Sequence, residues 1–206
     1  MIAVLDLDGL GAAALRQAFS RAGLAAGLAA SQVDLERAER IVIPDVPDFA
    51  AALLRIRERG WVGPLLRAAG DRPLLAVGQG LALLCDAIHG HGLHTGLGLL
   101  HGKALPLDPG RHPAARHFSL PHRGWNQVFW DTGVSPLLSG LSSGEYFYFD
   151  HFIHAEPLDA AAIQARANHG VFFAAVVQAG KVHGVQFLPE KSEEAGLRVL
   201  KNFAVI

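Results

Sequence analysis

Three short, mainly apolar runs at residues 2–7, 40–44 and 73–77, the last without a polar residue, interleaved with helix-forming segments, constrain this chain more than anything else in it. Strands without a polar face must be buried on both sides. Their alternation with helices therefore implies a mostly parallel α/β sheet with helices on both faces. Residues 12–21, rich in Ala and Leu and stopped by Gly23, read as the first helix. Asp48 can cap a second helix over 49–58, where Leu53, Leu54 and Ile56 supply an apolar stripe. After the third run, Gly78-Gln79-Gly80 is a tight turn, and residues 81–88 are expected to continue as a helix.

The second half changes character. Residues 97–105, 125–129, 145–149, 162–167, 171–178 and 181–187 are strand-like and closely spaced. The last two, separated by Ala179-Gly180, read as a hairpin, so the parallel sheet gains an antiparallel extension. Ser192 and the acids Glu193 and Glu194 open a final helix over 195–203. No linker or repeat interrupts the pattern, and residues 1–206 are expected to form a single domain.

Half of the residues are hydrophobic, 18% are charged and the net charge is −1, which excludes long disorder and argues against a nucleic-acid partner. No apolar run reaches the roughly 18 residues of a membrane helix, so no membrane association is expected. The start of the chain has no basic leader and reads as a strand rather than a signal peptide. One cysteine, Cys85, rules out a disulfide framework and a cysteine-based zinc site. A reducing cytoplasm fits, and neither a metal nor a cofactor is expected.

The segment Leu75-Ala76-Val77-Gly78-Gln79-Gly80-Leu81 has the strand–turn–helix pattern of a nucleophile elbow, which lifts one side chain beside the free N–H groups of a helix start. The centre of this elbow is Gly78, which has no side chain. Read from the residues alone, the segment is a tight turn in an α/β protein.

Four stretches in order carry a resemblance over nearly the whole chain. They are residues 73–84, Pro121-His122-Arg123-Gly124-Trp125-Asn126-Gln127, Tyr146-Phe147-Tyr148-Phe149-Asp150-His151, and Gly184-Val185-Gln186-Phe187-Leu188-Pro189-Glu190-Lys191-Ser192 with the helix that follows. Together they resemble the class I glutamine amidotransferases, and within them the HisH family, the glutaminase subunits of imidazole glycerol phosphate synthase in histidine biosynthesis. The resemblance implies the class I glutamine amidotransferase (flavodoxin-like) fold. It also implies a (β/α)8-barrel cyclase partner, and hydrolysis of glutamine by an elbow Cys activated by a His–Glu pair.

By the same resemblance, Gly78 occupies the Cys position and Leu188 the His position, and Glu190 is the retained acid. Losing one member of such a unit costs on the order of 10^6-fold in turnover. The substrate pocket is altered as well. The family's Pro-Gly-Val-Gly loop reads Pro44-Asp45-Val46-Pro47, and Pro47 has no N–H and a fixed φ. Ala82 stands at the substrate-holding Gln, Phe152 follows the strand histidine His151, Gln79 follows the elbow centre, and the N-terminal loop reads Asp6-Leu7-Asp8-Gly9-Leu10-Gly11. Gly124, Trp125 and Asn126 match a segment near the cyclase interface, with Arg123 in place of an apolar family residue, and Trp125 is either an exposed anchor or a core residue. A non-catalytic HisH-like partner of a cyclase is therefore expected. The alternatives are a repurposed enzyme or a small-ligand module in the old cleft, using Asp45, His151 and Glu190.

Cys85 lies seven residues beyond Gly78, nearly two helical turns away, and reads as a buried structural thiol. His89, His91 and His94 form either a solvated loop or a metal site lacking an acidic ligand. His151 and His154 face opposite sides of a strand unless the chain bends between them.

Overall fold

The computed structural model describes residues 1–7, 10–90, 92–108, 118–131 and 135–206. The first half contains β1 (Ile2–Leu5), α1 (Leu10–Arg21), β2 (Ala26–Ala29), α2 (Gln32–Arg37), β3 (Arg40–Ile43), α3 (Phe49–Glu58), α4 (Val62–Asp71) and β4 (Leu74–Val77). A 3-10 turn over Gly78–Leu84 follows, then β5 (Cys85–His89), β6 (Leu93–Thr95), β7 (Leu100–Pro106), β8 (His122–Val128), β9 (Glu145–His151) and β10 (Ile153–Pro157). The chain ends in β11 (Ile163–Asn168), β12 (Phe172–Ala179), β13 (Val182–Val185) and α5 (Glu193–Phe203).

Among the described residues the large sheet has seven strands in the order β11-β12-β13-β4-β3-β1-β2. The strands from β13 to β2 are parallel, and β12 and β11 form the antiparallel extension. The period of two sorts its side chains into two cores. Ala3, Leu5, Ile41, Ile43, Leu74 and Ala76 pack with Leu53, Ile56 and Leu65 of α3 and α4 on one face. Val4, Val42, Leu75, Val77 and Val185 pack with Leu15, Phe19, Leu200 and Phe203 of α1 and α5 on the other. Asp48 caps α3 as expected, accepting from the N–H groups of Ala50 and Ala51.

Residues 81–88 do not form the expected helix. They complete the 3-10 turn and enter β5, part of a second sheet ordered β10-β7-β5-β6. Carbonyls that a helix would use internally are taken from across the chain: Leu83 O by Leu97 N at 2.8 Å, Leu84 O by Leu99 N at 2.8 Å and Asp86 O by Gly96 N at 3.0 Å. A Cβ at Gly96 would collide with the Cys85 carbonyl, so glycine there permits this approach. Helical propensity in this mainly apolar run lost to tertiary pairing.

Ser192 is a second departure. Its hydroxyl caps no helix; it donates to Leu188 O at 2.7 Å and accepts from Tyr148 N at 3.0 Å. β2, α2, α4, β6 and β10 were not expected. The segment 24–30 is entirely Ala, Gly and Leu, without alternation, and α4 carries Gly63, Pro64 and Gly70. Among the described residues no helix is long and apolar enough to cross a membrane.

Candidate functional site

β4 delivers the chain to the elbow, where Gly78 has φ +57°, a left-handed conformation that favours glycine. A Cβ at this position would press on Asp45 Oδ1 and lie 2.7 Å from Leu188 Cδ2. The loop after β3 reaches the elbow because Gly11 and Gly80 leave room for the carbonyls of Asp45 and Pro44. Asp45 Oδ1 then accepts the Gln79 backbone N–H at 2.8 Å. That N–H is the free donor such an elbow would offer a ligand. Gln79 Nε2 donates to Val46 O at 3.3 Å, while its Oε1 is buried without a partner.

Leu188 is buried, its backbone N–H held by Tyr148 O at 2.8 Å. Gln186, two residues earlier on the same side of the chain, donates to Gly78 O at 3.1 Å and clamps the turn. It was missed as a site residue, although its two-residue offset from Leu188 was the available signal. Glu190 Oε2 is buried and has no hydrogen-bond partner. Burial raises the Glu190 pKa to about 7, the Asp45 charge adds to the rise, and the residue's own N–H and Lys191 oppose it. Residue 78 carries no nucleophile and residue 188 no proton acceptor, so the ionisable groups at the elbow are the Asp45 and Glu190 carboxyls.

The Glu190 shift has a consequence for stability. The folded carboxyl holds a proton that the unfolded chain releases from about pH 4.5 upward. Stability is therefore lost as pH rises from 4.5 to 7. Glu190→Gln is expected to stabilise the protein by roughly 2–3 kcal/mol above pH 7 and to change little at pH 4.5, as read by urea unfolding. Equal effects at the two pH values would refute this.

The other expected residues fall into separate places. Val46 and Ala82 are core residues, and Pro47 and Phe152 lie on a cleft beside α3. His151 ends β9, and the chain bends at Phe152 before β10, so the rings of His151 and His154 both reach Phe173, at 5.0 and 6.3 Å. His151 Nδ1–H donates to Ile153 O at 2.9 Å, which leaves Nε2 to accept from His122 Nδ1, also at 2.9 Å. His122 Nε2 then accepts from Asn126 Nδ2 at 3.2 Å, and His169 stacks on His122 at 4.0 Å. This chain needs both His122 and His151 neutral, and burial lowers the pKa of each to about 3.

Cys85 begins β5 rather than lying in a helix, and burial with the adjacent Asp86 charge pushes its thiol up to about 12. It is a buried, protonated thiol. His89 is exposed, and His91 lies outside the described residues. Among the described residues no three His, Cys, Asp or Glu side chains group as metal ligands.

β8 and β9 form an antiparallel ribbon in which Arg123 pairs with Asp150, Trp125 with Tyr148 and Gln127 with Tyr146. Trp125 is 47% exposed and meets Tyr148 edge-on at 5.9 Å; Lys191 Nζ lies 5.6 Å above Tyr148. Arg123 Nε donates to Asp150 Oδ1 at 3.0 Å. Asn126 turns the other way, its Nδ2 donating to Asn168 O of β11 at 2.8 Å. Tyr148 links the ribbon to the elbow through its backbone bonds to Leu188 and Ser192.

This sheet, with a loop and an elbow meeting at the strand ends, is the architecture of glutamine amidotransferases. A crystal structure of a glutamine amidotransferase superposes with a TM-score of 0.75 at 18% identity, covering 98% of each chain. The structure of PurLQS from Thermotoga maritima superposes with a TM-score of 0.75 at 17% identity, covering 99% of this chain and 97% of that one. Those identities speak for the fold alone. No family model matches the chain. Curated sequences go further. The imidazole glycerol phosphate synthase subunit HisH of Syntrophotalea carbinolica is 32% identical over 204 residues, 98% of both chains. That of Xylella fastidiosa is 37% identical over 202 residues, 98% of this chain and 96% of its own. The chain belongs to the HisH family.

Proposed function

We propose that this HisH-family chain does not hydrolyse glutamine and serves as the non-catalytic partner of a cyclase in imidazole glycerol phosphate synthase, as one domain over residues 1–206 in the cytoplasm. The observation that carries the reading is the closed elbow. Gly78 and Leu188 stand at the positions that the resemblance assigns to the nucleophile and its base. The space above Gly78 is taken by Leu188 and Asp45, and Asp45 holds the Gln79 N–H. A thioester cannot form on residue 78, and the donor that would stabilise its oxyanion is already engaged.

The outer face of the β8–β9 ribbon supports the partner role. Trp125 presents a large, half-exposed ring braced by Tyr148, the kind of group that anchors interfaces. The cyclase, a (β/α)8 barrel, would dock on Trp125 with Arg123 and Gly124. Asn126 acts behind them by tying the ribbon to β11. A cyclase so partnered can draw on free ammonia.

Mixed with an active cyclase and L-glutamine, the chain is expected to release no ammonia above background, and clear turnover would overturn the reading. The cyclase should co-purify with it. Trp125→Ala is expected to weaken that capture at least about tenfold, as loss of an anchor residue does. Failure of the unaltered chain to capture the cyclase removes the partner role.

A repurposed enzyme is the second reading, favoured by the Glu190 carboxyl poised near neutral pH beside Asp45. His151 would not take part, because both its ring nitrogens are engaged with His122 and Ile153.

A further inference from the structure

The large sheet closes one of its edges and leaves the other open. At β11 the strand is bulged between Ile163 and Arg166. Phe129 bridges it there, with Phe129 N–H on Arg166 O at 2.8 Å and Arg166 N–H on Phe129 O at 2.9 Å. Bulges, charges and covering segments are ordinary means of blocking strand addition. β2, at the far edge, has none of them. It reads Ala26-Gly27-Leu28-Ala29, pairs with β1 without a register shift, and has no strand on its other side among the described residues. Asp6 N–H donates to Ala29 O at 3.2 Å, so Ala29 and Gly27 turn their backbone groups toward β1. The N–H and C=O groups of Ala26 and Leu28 therefore point away from the sheet, where no described residue pairs with them. Just beyond, Asp34 Oδ2 accepts the N–H groups of Ala30 and Ser31 and ends the open stretch.

An open groove of about 770 Å³ runs beside this edge on the α1 side. Ala13, Arg16, Gln17 and Ser20, which share one face of α1, line one wall, and the chain entering β2 lines the other. Leu28 stands in register with Val4, a core residue of the α1 face, and at 38% exposed it extends the apolar surface along the edge. Arg16 is exposed, and among the described residues no carboxylate pairs with it. Met1, also on the groove, has its ammonium engaged by Glu39 at 2.7 Å, so the uncompensated charge is that of Arg16. A second copy added antiparallel to this edge would bring its own α1 to the same side and set Arg16 against Arg16, like charge against like. We infer that β2 takes an extended segment of a partner protein as an added strand, with main-chain bonds to Ala26 and Leu28 and an acidic side chain on Arg16. Strand addition draws its affinity from the backbone and its specificity from such alternate side chains. The inference depends neither on the elbow being inactive nor on the β8–β9 ribbon docking a cyclase.

The test is an NMR titration of the full chain with an end-capped peptide of alternating glutamate and valine, and with the same peptide carrying lysine for glutamate. The glutamate peptide is expected to shift the amides of Ala26, Gly27 and Leu28 and to slow hydrogen exchange at Ala26 and Leu28. It should bind at least about threefold more tightly than the lysine peptide, the worth of one exposed ion pair. Arg16→Glu, on an exposed helix face, should reverse that preference. Leu28→Pro removes one outward N–H and should weaken both peptides about fivefold, as loss of one hydrogen bond does. If Leu28→Pro does not fold, Arg16→Glu still decides. The inference is overturned if the glutamate peptide shifts no β2 amide up to its solubility limit, or if Arg16→Glu leaves the preference unchanged. It is also overturned if the same amides shift with protein concentration in the absence of peptide, which would make a second copy the occupant.

Discussion

Placing a cysteine at position 78 is expected to cost about 2–5 kcal/mol of stability and to yield no ammonia release from glutamine, even with Leu188→His alongside. Gly78 holds φ +57°. A side-chain-bearing residue loses roughly 1–2 kcal/mol in that conformation. The new Cβ would also enter space occupied by the Asp45 carboxylate and Leu188 Cδ2, an overpacking that adds about 1–3 kcal/mol. Because Asp45 is both an obstacle and the partner of the Gln79 N–H, Asp45→Gly should be less harmful beside Gly78→Cys than alone. Urea unfolding of the two single variants and the double variant gives that coupling directly. A Gly78→Cys protein as stable as the unaltered chain would mean that the elbow opens freely, and the closed-elbow reading would go with it.

The second large effect is with acid. His122 and His151 titrate near 3 in the folded protein against an ordinary value of 6.5. The cause is burial first, then the neighbouring imidazoles. Between those values the unfolded chain binds protons that the folded chain refuses, so stability falls as pH drops below 6.5 and goes on falling toward 3. His151 alone should contribute up to roughly 1.4 kcal/mol per pH unit. His122, nearer the surface, adds less. The two histidines are expected to cost about 3–4 kcal/mol between pH 7 and 4.5; Glu190 offsets roughly 2–3 kcal/mol of this in the unaltered chain, so the full loss should show by urea unfolding in a Glu190→Gln background. His151→Phe should lower stability at pH 7, because it strands the His122 Nδ1–H and the Ile153 carbonyl, yet flatten the slope below pH 6.5. An unaltered slope in that variant would assign the acid response to other groups. The Glu190 effect has the opposite sign and overlaps this window between pH 4.5 and 6.5, where the two histidines outweigh it, so stability should peak near its upper end, at about pH 6.5–7.

Local reading reached far in the first half of the chain. The runs ending at Leu5, Ile43 and Val77 became β1, β3 and β4, and α1, α3 and the β12–β13 hairpin formed as expected. It failed where the pattern was even. The run from Leu81 to Cys85 is apolar throughout and cannot announce a period, so the choice between helix and strand fell to the amides of residues 96–99. The candidate site was half legible. Asp45, Gly78, Leu188 and Glu190 were named from the sequence and do meet or influence one another at the elbow. Gln186, which clamps Gly78, was not singled out, and His122 appeared only inside a motif.

The sequence alone determined the kind of sheet and the side chains, none at Gly78 and an aliphatic one at Leu188, that reach its elbow. Strands without a polar face can only be buried between layers, and neither Gly78 nor Leu188 has a group that attacks or takes a proton. What fills the elbow was decided only by the tertiary structure. Asp45 lies 33 positions before Gly78 in the chain and reaches it through a loop whose close approach depends on two distant glycines, Gly11 and Gly80. The same holds for the neutral His122–His151 pair, whose register comes from the β8–β9 ribbon. Periodicity and propensity act over a few residues, whereas contacts across tens of residues depend on how whole layers pack.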